Sequence, residues 1–197
     1  IDRTEVTIAA FAAFADGGGL RTQAEQAGGG FEYAGGWVRR RGWTFRRPYG
    51  APAAPDEPAV HVTHAEAAAF CAAAGGRLPS GAEWRRAAYT EMRPSPASPF
   101  ERGRTYPFPA GSSPAGLWIA ENGATRHRAA ASPGVNGLVD MGGNVWEWLA
   151  DIRNGSALTA GGSWWYGARQ TQADAFQWKE RSFAAVYIGF RCVYDRR

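Results

Sequence analysis

The segment Gly137-Leu-Val-Asp-Met-Gly-Gly-Asn-Val-Trp-Glu-Trp148 constrains this chain more than any other. Two tryptophans flank a glutamate, two glycines precede an asparagine, and Asp140 stands seven residues before Glu147. Ordinary strands and helices have no need of that mixture. Adjacent glycines allow backbone conformations and close approaches that a side chain forbids. Asp140 and Glu147 offer hard oxygens to a cation, with nearby backbone carbonyls available to complete a shell. The simpler alternative is a bend that buries two tryptophans. An acid/base pair is a third reading, and a metal or structural role is preferred to it because the spacing does not fix how far apart the two carboxyls lie.

The rest of the composition agrees with a loop-rich globular domain. Among 197 residues there are 26 Gly and 9 Trp, with 45% hydrophobic and 20% charged residues. That is length enough for a sizeable core, and so much glycine argues against a helical bundle. The net charge of +4 is too mild to indicate nucleic acid. No apolar stretch is long enough to span a membrane. Cys71 and Cys192 are either a long-range disulfide or two unrelated thiols, and a bridge would favour a periplasmic or extracellular setting.

Along the chain, residues 7–15 read as a short helix capped by Thr7, with Ile8, Phe11 and Phe14 near one face. Thr63-His-Ala-Glu66 and Ser80-Gly-Ala-Glu83 are capping boxes that open two more helices, the first ended by Gly75. Residues 16–58 and 93–136 read as irregular. Long irregular stretches in a compact domain need a cation, a bridge or packed aromatics to hold them. Short strands are expected at 146–150, 157–161 and 186–193, and residues 161–190 read as one long excursion between two strands.

Several groups invite a chemical reading. Trp37, Arg39, Arg40, Arg41, Trp43, Phe45, Arg46 and Arg47 form a basic, aromatic run, read here as a surface in which arginine stems cover the tryptophans. His61, His64 and His127 lack a zinc-binding arrangement and read as satisfied or exposed histidines. No P-loop, nucleophile elbow or dinucleotide fingerprint is present. The tract Trp164-Trp-Tyr-Gly-Ala-Arg-Gln-Thr-Gln-Ala-Asp174, followed by Trp178, Lys179, Glu180 and Arg181, combines aromatic faces with hydrogen-bonding groups, as small-ligand and glycan pockets do. Equally, Trp164 and Trp165 could be core, with only the polar residues exposed.

Taken together, Gly137-Leu-Val-Asp-Met-Gly-Gly-Asn-Val-Trp-Glu-Trp148, Gly161-Gly-Ser-Trp164, Gly189-Phe-Arg-Cys192, Ile1-Asp-Arg-Thr-Glu-Val-Thr7, Gly76-Arg-Leu-Pro79 and Ala82-Glu-Trp84 resemble the formylglycine-generating enzyme, or sulfatase-modifying factor, domain. The matches run in family order over nearly the whole chain. The family's usual first strand, with its Phe-x-Met-Gly motif, has no counterpart before Ile1. The resemblance implies an α+β, C-type-lectin-like fold of low regularity, with short strands, two to three helices and long loops, formed by 1–197 as one domain. It implies a Cys71–Cys192 disulfide. It also implies a structural calcium ion held by the side chains of Asp140 and Glu147 and the carbonyls of Gly143 and Val145.

The resemblance fails where the family's catalysis resides. Active members bind copper through two cysteines just after Gly-Gly-Ser-Phe, and the aligned positions here are Tyr166 and Thr171. Neither supplies the soft thiolate that selects Cu(I), so no copper is expected. The expected function is therefore binding of a small molecule, peptide or glycan through Trp164, Trp165, Tyr166, Arg169, Gln170, Asp174, Trp178 and Arg181. Alternatives are an oxidase of the same family with a different metal or residue set, a retroelement-diversified variable binding protein, and a scaffold for a partner protein.

Overall fold

The computed structural model describes residues 1–195. Helix α1 (Ile8–Gly17) starts where Thr7 Oγ1 accepts the Ala10 N–H and buries Ile8, Phe11 and Ala15. The two capping boxes form as the sequence requires. Thr63 and Glu66 open α3 (His64–Ala73), and Ser80 and Glu83 open α4 (Gly81–Tyr89). A third capping box, Thr22-Gln-Ala-Glu25, opens the four-residue helix α2 (Gln23–Gln26). Its pattern is legible in the sequence, but the segment was expected to be irregular.

The main sheet has four strands in the order β5-β4-β3-β6. Strands β3 (Trp146–Arg153) and β4 (Ser156–Ala160) form an antiparallel hairpin. Its turn is Asn154-Gly155, both at positive φ (49° and 79°), the backbone state that a tight hairpin turn requires. Strand β6 (Ile188–Gly189) lies parallel to β3, and β5 (Gln177–Glu180) pairs antiparallel with β4 at the edge. Residues 161–190 are thus not one excursion, because the chain returns early to add an edge strand. The strand expected at 186–193 keeps ladder pairing only at its start. Beyond it, Val6 N–H bonds Phe190 O, Asp2 N–H bonds Cys192 O, and Arg77 pairs with Val193.

A second departure lies within 16–58. Strands β1 (Gly29–Tyr33) and β2 (Trp37–Arg41) form a separate antiparallel hairpin, which docks through Phe31 against Ala185. The basic run is thereby partly strand. Its arginines lie over phenylalanine rings rather than over the tryptophans as expected, Arg39 on Phe31 at 4.5 Å and Arg46 on Phe45 at 4.5 Å, and Trp37 remains half exposed.

Side chains alternate across a strand, so the sheet has two distinct faces. Trp146 and Trp148 point into a cluster with Phe11, Phe45, Cys71 and Phe190. Leu149 and Ala160 point into a smaller cluster with Trp84, Ala88 and Tyr89 of α4. The Cys71–Cys192 disulfide lies in the larger cluster, with Cα atoms 5.5 Å apart, and ties α3 to the C-terminal segment across 121 residues.

Candidate functional site

The 137–148 segment folds as a loop feeding β3. Asp140, Gly143 and Asn144 all take positive φ (50°, 81° and 51°). At Gly143 a Cβ would lie 2.5 Å from Trp118 O, which explains the glycine. Asn144 needs its whole side chain: Nδ2 donates to Glu5 Oε1 (2.9 Å) and Arg128 O (3.1 Å), and Oδ1 accepts from Arg128 N (3.0 Å). The segment therefore stitches the N-terminal residues and the long irregular stretch onto the sheet.

Glu147 points to the α4 side and is fully buried with Arg191. Arg191 Nε donates to Glu147 Oε2 (2.8 Å), Arg191 Nη2 to Oε1 (2.7 Å), and Trp84 Nε1 to Oε2 (2.7 Å). The remaining guanidinium donors bond the carbonyls of Asp2, Arg3 and Val139. Two more carboxyls are buried in this region. Burial pushes the Glu5 carboxyl up to about 8, against the opposing pull of Arg191, and also raises Asp140. Asp140 Oδ2 accepts from Ala131 N (2.8 Å), whereas its Oδ1 and Glu5 Oε2 have no hydrogen-bond partner.

These contacts test the expected cation site. Asp140 Oδ1 is buried without a hydrogen bond, although the Arg128 guanidinium faces it at 3.7 Å, and among the described residues no N–H donates to the carbonyls of Gly143 or Val145. Hard oxygens free of donors are what a calcium ion takes. The fourth expected ligand, Glu147, is shared with Arg191 and Trp84, which leaves Oε1 with one acceptor direction open. The two carbonyl positions therefore fit, and the two carboxylates, each facing an arginine, fit only in part. No cluster of three or more His, Cys, Asp or Glu side chains placed to hold a metal occurs among the described residues. The histidines lie apart, His61 bonding Pro48 O, His64 bonding Leu149 O and His127 bonding Tyr49.

The eight residues of the 164–181 tract do not converge on one place. Trp164 is core. Trp165 is exposed, and both tryptophans border a shallow cavity with Ala120, Ala124 and Thr125. Arg169 and Asp174 are exposed and bond each other twice, at 2.7 and 3.0 Å, so their polar groups are mutually engaged. Gln170 backs onto Gly162, and the main chain of Arg181 bonds Gly155 and His64.

Tyr166 and Trp178 share a second cavity, of about 350 Å³, which is also lined by Trp37, Gln177, Lys179, Glu180 and Phe183. Tyr166 packs edge-on against Trp146, with centroids 5.5 Å apart, and burial raises its hydroxyl. Thr171 is buried, its hydroxyl donating to Ala168 O and its carbonyl accepting from Tyr89 Oη. Both cysteines are bonded to each other, so no free thiol is available.

Sequence reasoning did not select Trp37, Gln177, Lys179, Glu180 and Phe183 as site residues. Once β5 is recognised, its alternation places Gln177 and Lys179 on the Trp146 face, opposite to Trp178 and Glu180. Nothing local in the sequence brings the β1–β2 hairpin to that edge.

A low-regularity α+β domain with short strands, long loops and this tryptophan-flanked loop defines a C-type-lectin-like protein elaborated around a buried ionic knot. The chain belongs to the Sulfatase-modifying factor enzyme 1-like domain family, whose profile matches residues 1–196. It is 33% identical to the formylglycine-generating enzyme of Streptomyces coelicolor, over 77% of this chain and 57% of that protein. It is 34% identical to a hercynine oxygenase of Mycolicibacterium thermoresistibile, over 76% of this chain and 35% of that protein. The chain thus spans about half the length of the curated relatives it matches. In structure it superposes on Treponema denticola variable protein 1 with a TM-score of 0.66 at 17% identity, over 95% of this chain and 81% of the other, a likeness of fold alone.

Proposed function

We propose that this domain is a ligand-binding member of the family that lacks its copper–thiolate chemistry, and that it binds a small molecule, peptide or glycan beside Tyr166. The observation that carries this reading is the cavity at position 166. Active members are expected to hold a copper cysteine there, whereas here a half-buried tyrosine and three further aromatic residues wall a space of ligand size. Tyr166 and Trp178 supply contact area, whereas Trp164, Trp165, Arg169, Gln170, Asp174 and Arg181 are not among the residues that line the cavity. The fluorescence of Trp37 and Trp178 reports binding directly. Quenching by ligands from small-molecule, peptide and glycan sets, lost in Tyr166→Ala, is the expected result. Stoichiometric copper binding with oxygen uptake on a thiol peptide would replace this reading with an oxidase.

Calcium belongs to the same proposal as a structural ion. The Asp140 side chain and the carbonyls of Gly143 and Val145 would hold it, with Glu147 contributing the free direction of Oε1. A cation bound only by the folded state stabilises it. The expected result is a melting temperature lowered by chelator in the wild type and insensitive to chelator in Asp140→Ala. An identical wild-type curve with and without chelator sinks the assignment. The buried disulfide supports a periplasmic or extracellular setting, and no helix among the described residues is long and apolar enough to cross a membrane.

A further inference from the structure

The aromatic cavity contains a cation with no counter-ion. Lys179 reaches across the edge of the sheet so that Nζ sits 4.4 Å from the centre of the Trp146 ring, and it donates to Gln177 Oε1 at 2.8 Å. An ammonium has three donors. One meets an amide oxygen, one faces an aromatic ring, and the third has no protein acceptor. Among the described residues no carboxylate oxygen lies within 4.0 Å of Nζ, whereas surface arginines such as Arg40, Arg77, Arg104 and Arg169 have such a partner. A desolvated, unpaired charge is costly, and here burial alone pulls the amine down to about 8.

The other charged and titratable groups near the amine do not supply the missing charge. Glu180 also lines the cavity, but it alternates to the other face of β5 from Lys179 and forms no ion pair with it within 4.0 Å. Glu32 of the neighbouring hairpin is paired with Arg40 at 2.6 Å. Arg153 stacks on Trp178 at 4.4 Å and adds positive charge on the far face of β5. Tyr166 remains neutral at physiological pH because burial raises its hydroxyl. Around the amine, Trp37 packs edge-on against Phe183 with centroids 4.6 Å apart, which gives the cavity a flat apolar wall.

From this arrangement we infer that the cavity takes a small carboxylate-bearing ligand with an aromatic or apolar body, the carboxylate accepting from Lys179 Nζ and the body lying among Trp37, Tyr166 and Phe183. The inference rests on the ligand-binding reading above and narrows it to one chemical class. It differs from a generic aromatic pocket in requiring the charge.

The test uses isothermal calorimetry on the whole chain with three near-isosteric probes: indole-3-acetate, indole-3-acetamide and tryptamine. A peptide ending in a free Trp carboxylate, and its amidated twin, distinguish a chain terminus from a free acid as the source of the group. The acid is expected to bind at least ten-fold more tightly than the amide, and tryptamine is expected not to bind. Lys179→Met should abolish the preference for the acid, Lys179→Arg should retain part of it, and Glu101→Gln, at a surface pair outside the cavity, should leave it intact. Affinity for the acid should hold between pH 6 and 7 and fall roughly ten-fold per pH unit above about pH 8, as the ammonium loses its proton. Circular dichroism melts of each variant confirm folding.

If acid and amide bind equally, or Lys179→Met binds the acid as the wild type does, the carboxylate inference is overturned while the ligand-binding reading stands. If the tryptophan fluorescence responds to no ligand of any class, both are overturned.

Discussion

Replacing Arg191 with methionine is the perturbation whose consequence follows most directly from the structure. Arg191 and Glu147 side chains are essentially without solvent exposure (0% and 1%) and meet twice, at 2.7 and 2.8 Å. Removing one partner of such a pair leaves an uncompensated buried charge, at a cost of about 3–5 kcal/mol. Glu147 would keep only the Trp84 N–H. The carbonyls of Asp2, Arg3 and Val139 would also lose their donor, at about 1 kcal/mol each unless water replaces it. Water can reach the part-buried Asp2 and Arg3 carbonyls, so only the buried Val139 carbonyl adds to the ion-pair cost and the expected loss is about 4–6 kcal/mol. At roughly 2–4 °C per kcal/mol for a domain of this size, that lowers Tm by about 8–24 °C. Urea denaturation of the wild type, Arg191→Met, Glu147→Leu and the double variant, all in chelator so that calcium does not contribute, measures the coupling. The double variant should be less damaged than the sum of the singles by at least about 2 kcal/mol, since it strands no charge. An Arg191→Met cost below about 1 kcal/mol, or simple additivity of the singles, would refute the reasoning.

Three further outcomes are expected. Burial holds the His61 imidazole down to about 4, so the fold keeps it neutral while the unfolded chain titrates near its ordinary value. Its contribution is complete above pH 6.5 and is lost as pH falls towards 4, with a slope of up to about 1.4 kcal/mol per pH unit. His61→Asn, which tolerates the positive φ of 57°, should flatten that slope in urea titrations. Gly134→Ala places a Cβ 2.1 Å from Pro109 O, a backbone atom that cannot rotate away, whereas Gly17→Ala at the end of α1 meets nothing within 4 Å. The first should destabilise by about 1–3 kcal/mol and the second should stabilise by up to about 1 kcal/mol, and thermal melts that fail to separate them would count against the packing around Pro109. Replacing both Cys71 and Cys192 with alanine opens a link between residues 121 apart and should cost about 4 kcal/mol by the loop-entropy relation. A variant as stable as the wild type in urea would show that the unfolded chain is held compact by other means.

The sequence by itself determined the family and the capped helices, and the Asn154-Gly155 turn between β3 and β4, though not read from it, is equally local. Each rests on interactions within a few residues: a threonine or serine hydroxyl meeting a backbone amide three positions on, or glycine and asparagine accepting positive φ. The motif cysteines, glycines and tryptophans could be placed by resemblance for the same reason, because each occupies a position where few other residues fit. The third capping box at Thr22 was equally local and equally legible.

The tertiary structure alone decided what those residues meet. Glu147 is neighbour in space to Arg191, 44 positions away, and to Trp84, 63 positions away, so the residue expected as a calcium ligand is also half of a buried ion pair. The 164–181 tract is continuous in sequence but divides among core, surface and two cavities. Its adjacent residues face opposite sides of a strand or turn, and Arg169 and Asp174 bond each other. Lys179 becomes a candidate ligand contact only because β5 joins the sheet edge above Trp146 and the β1–β2 hairpin brings Trp37 over it. Pairing partners of an edge strand, and the burial that strips a lysine of its counter-ion, depend on the packing of distant segments, and no local pattern in the chain encodes them.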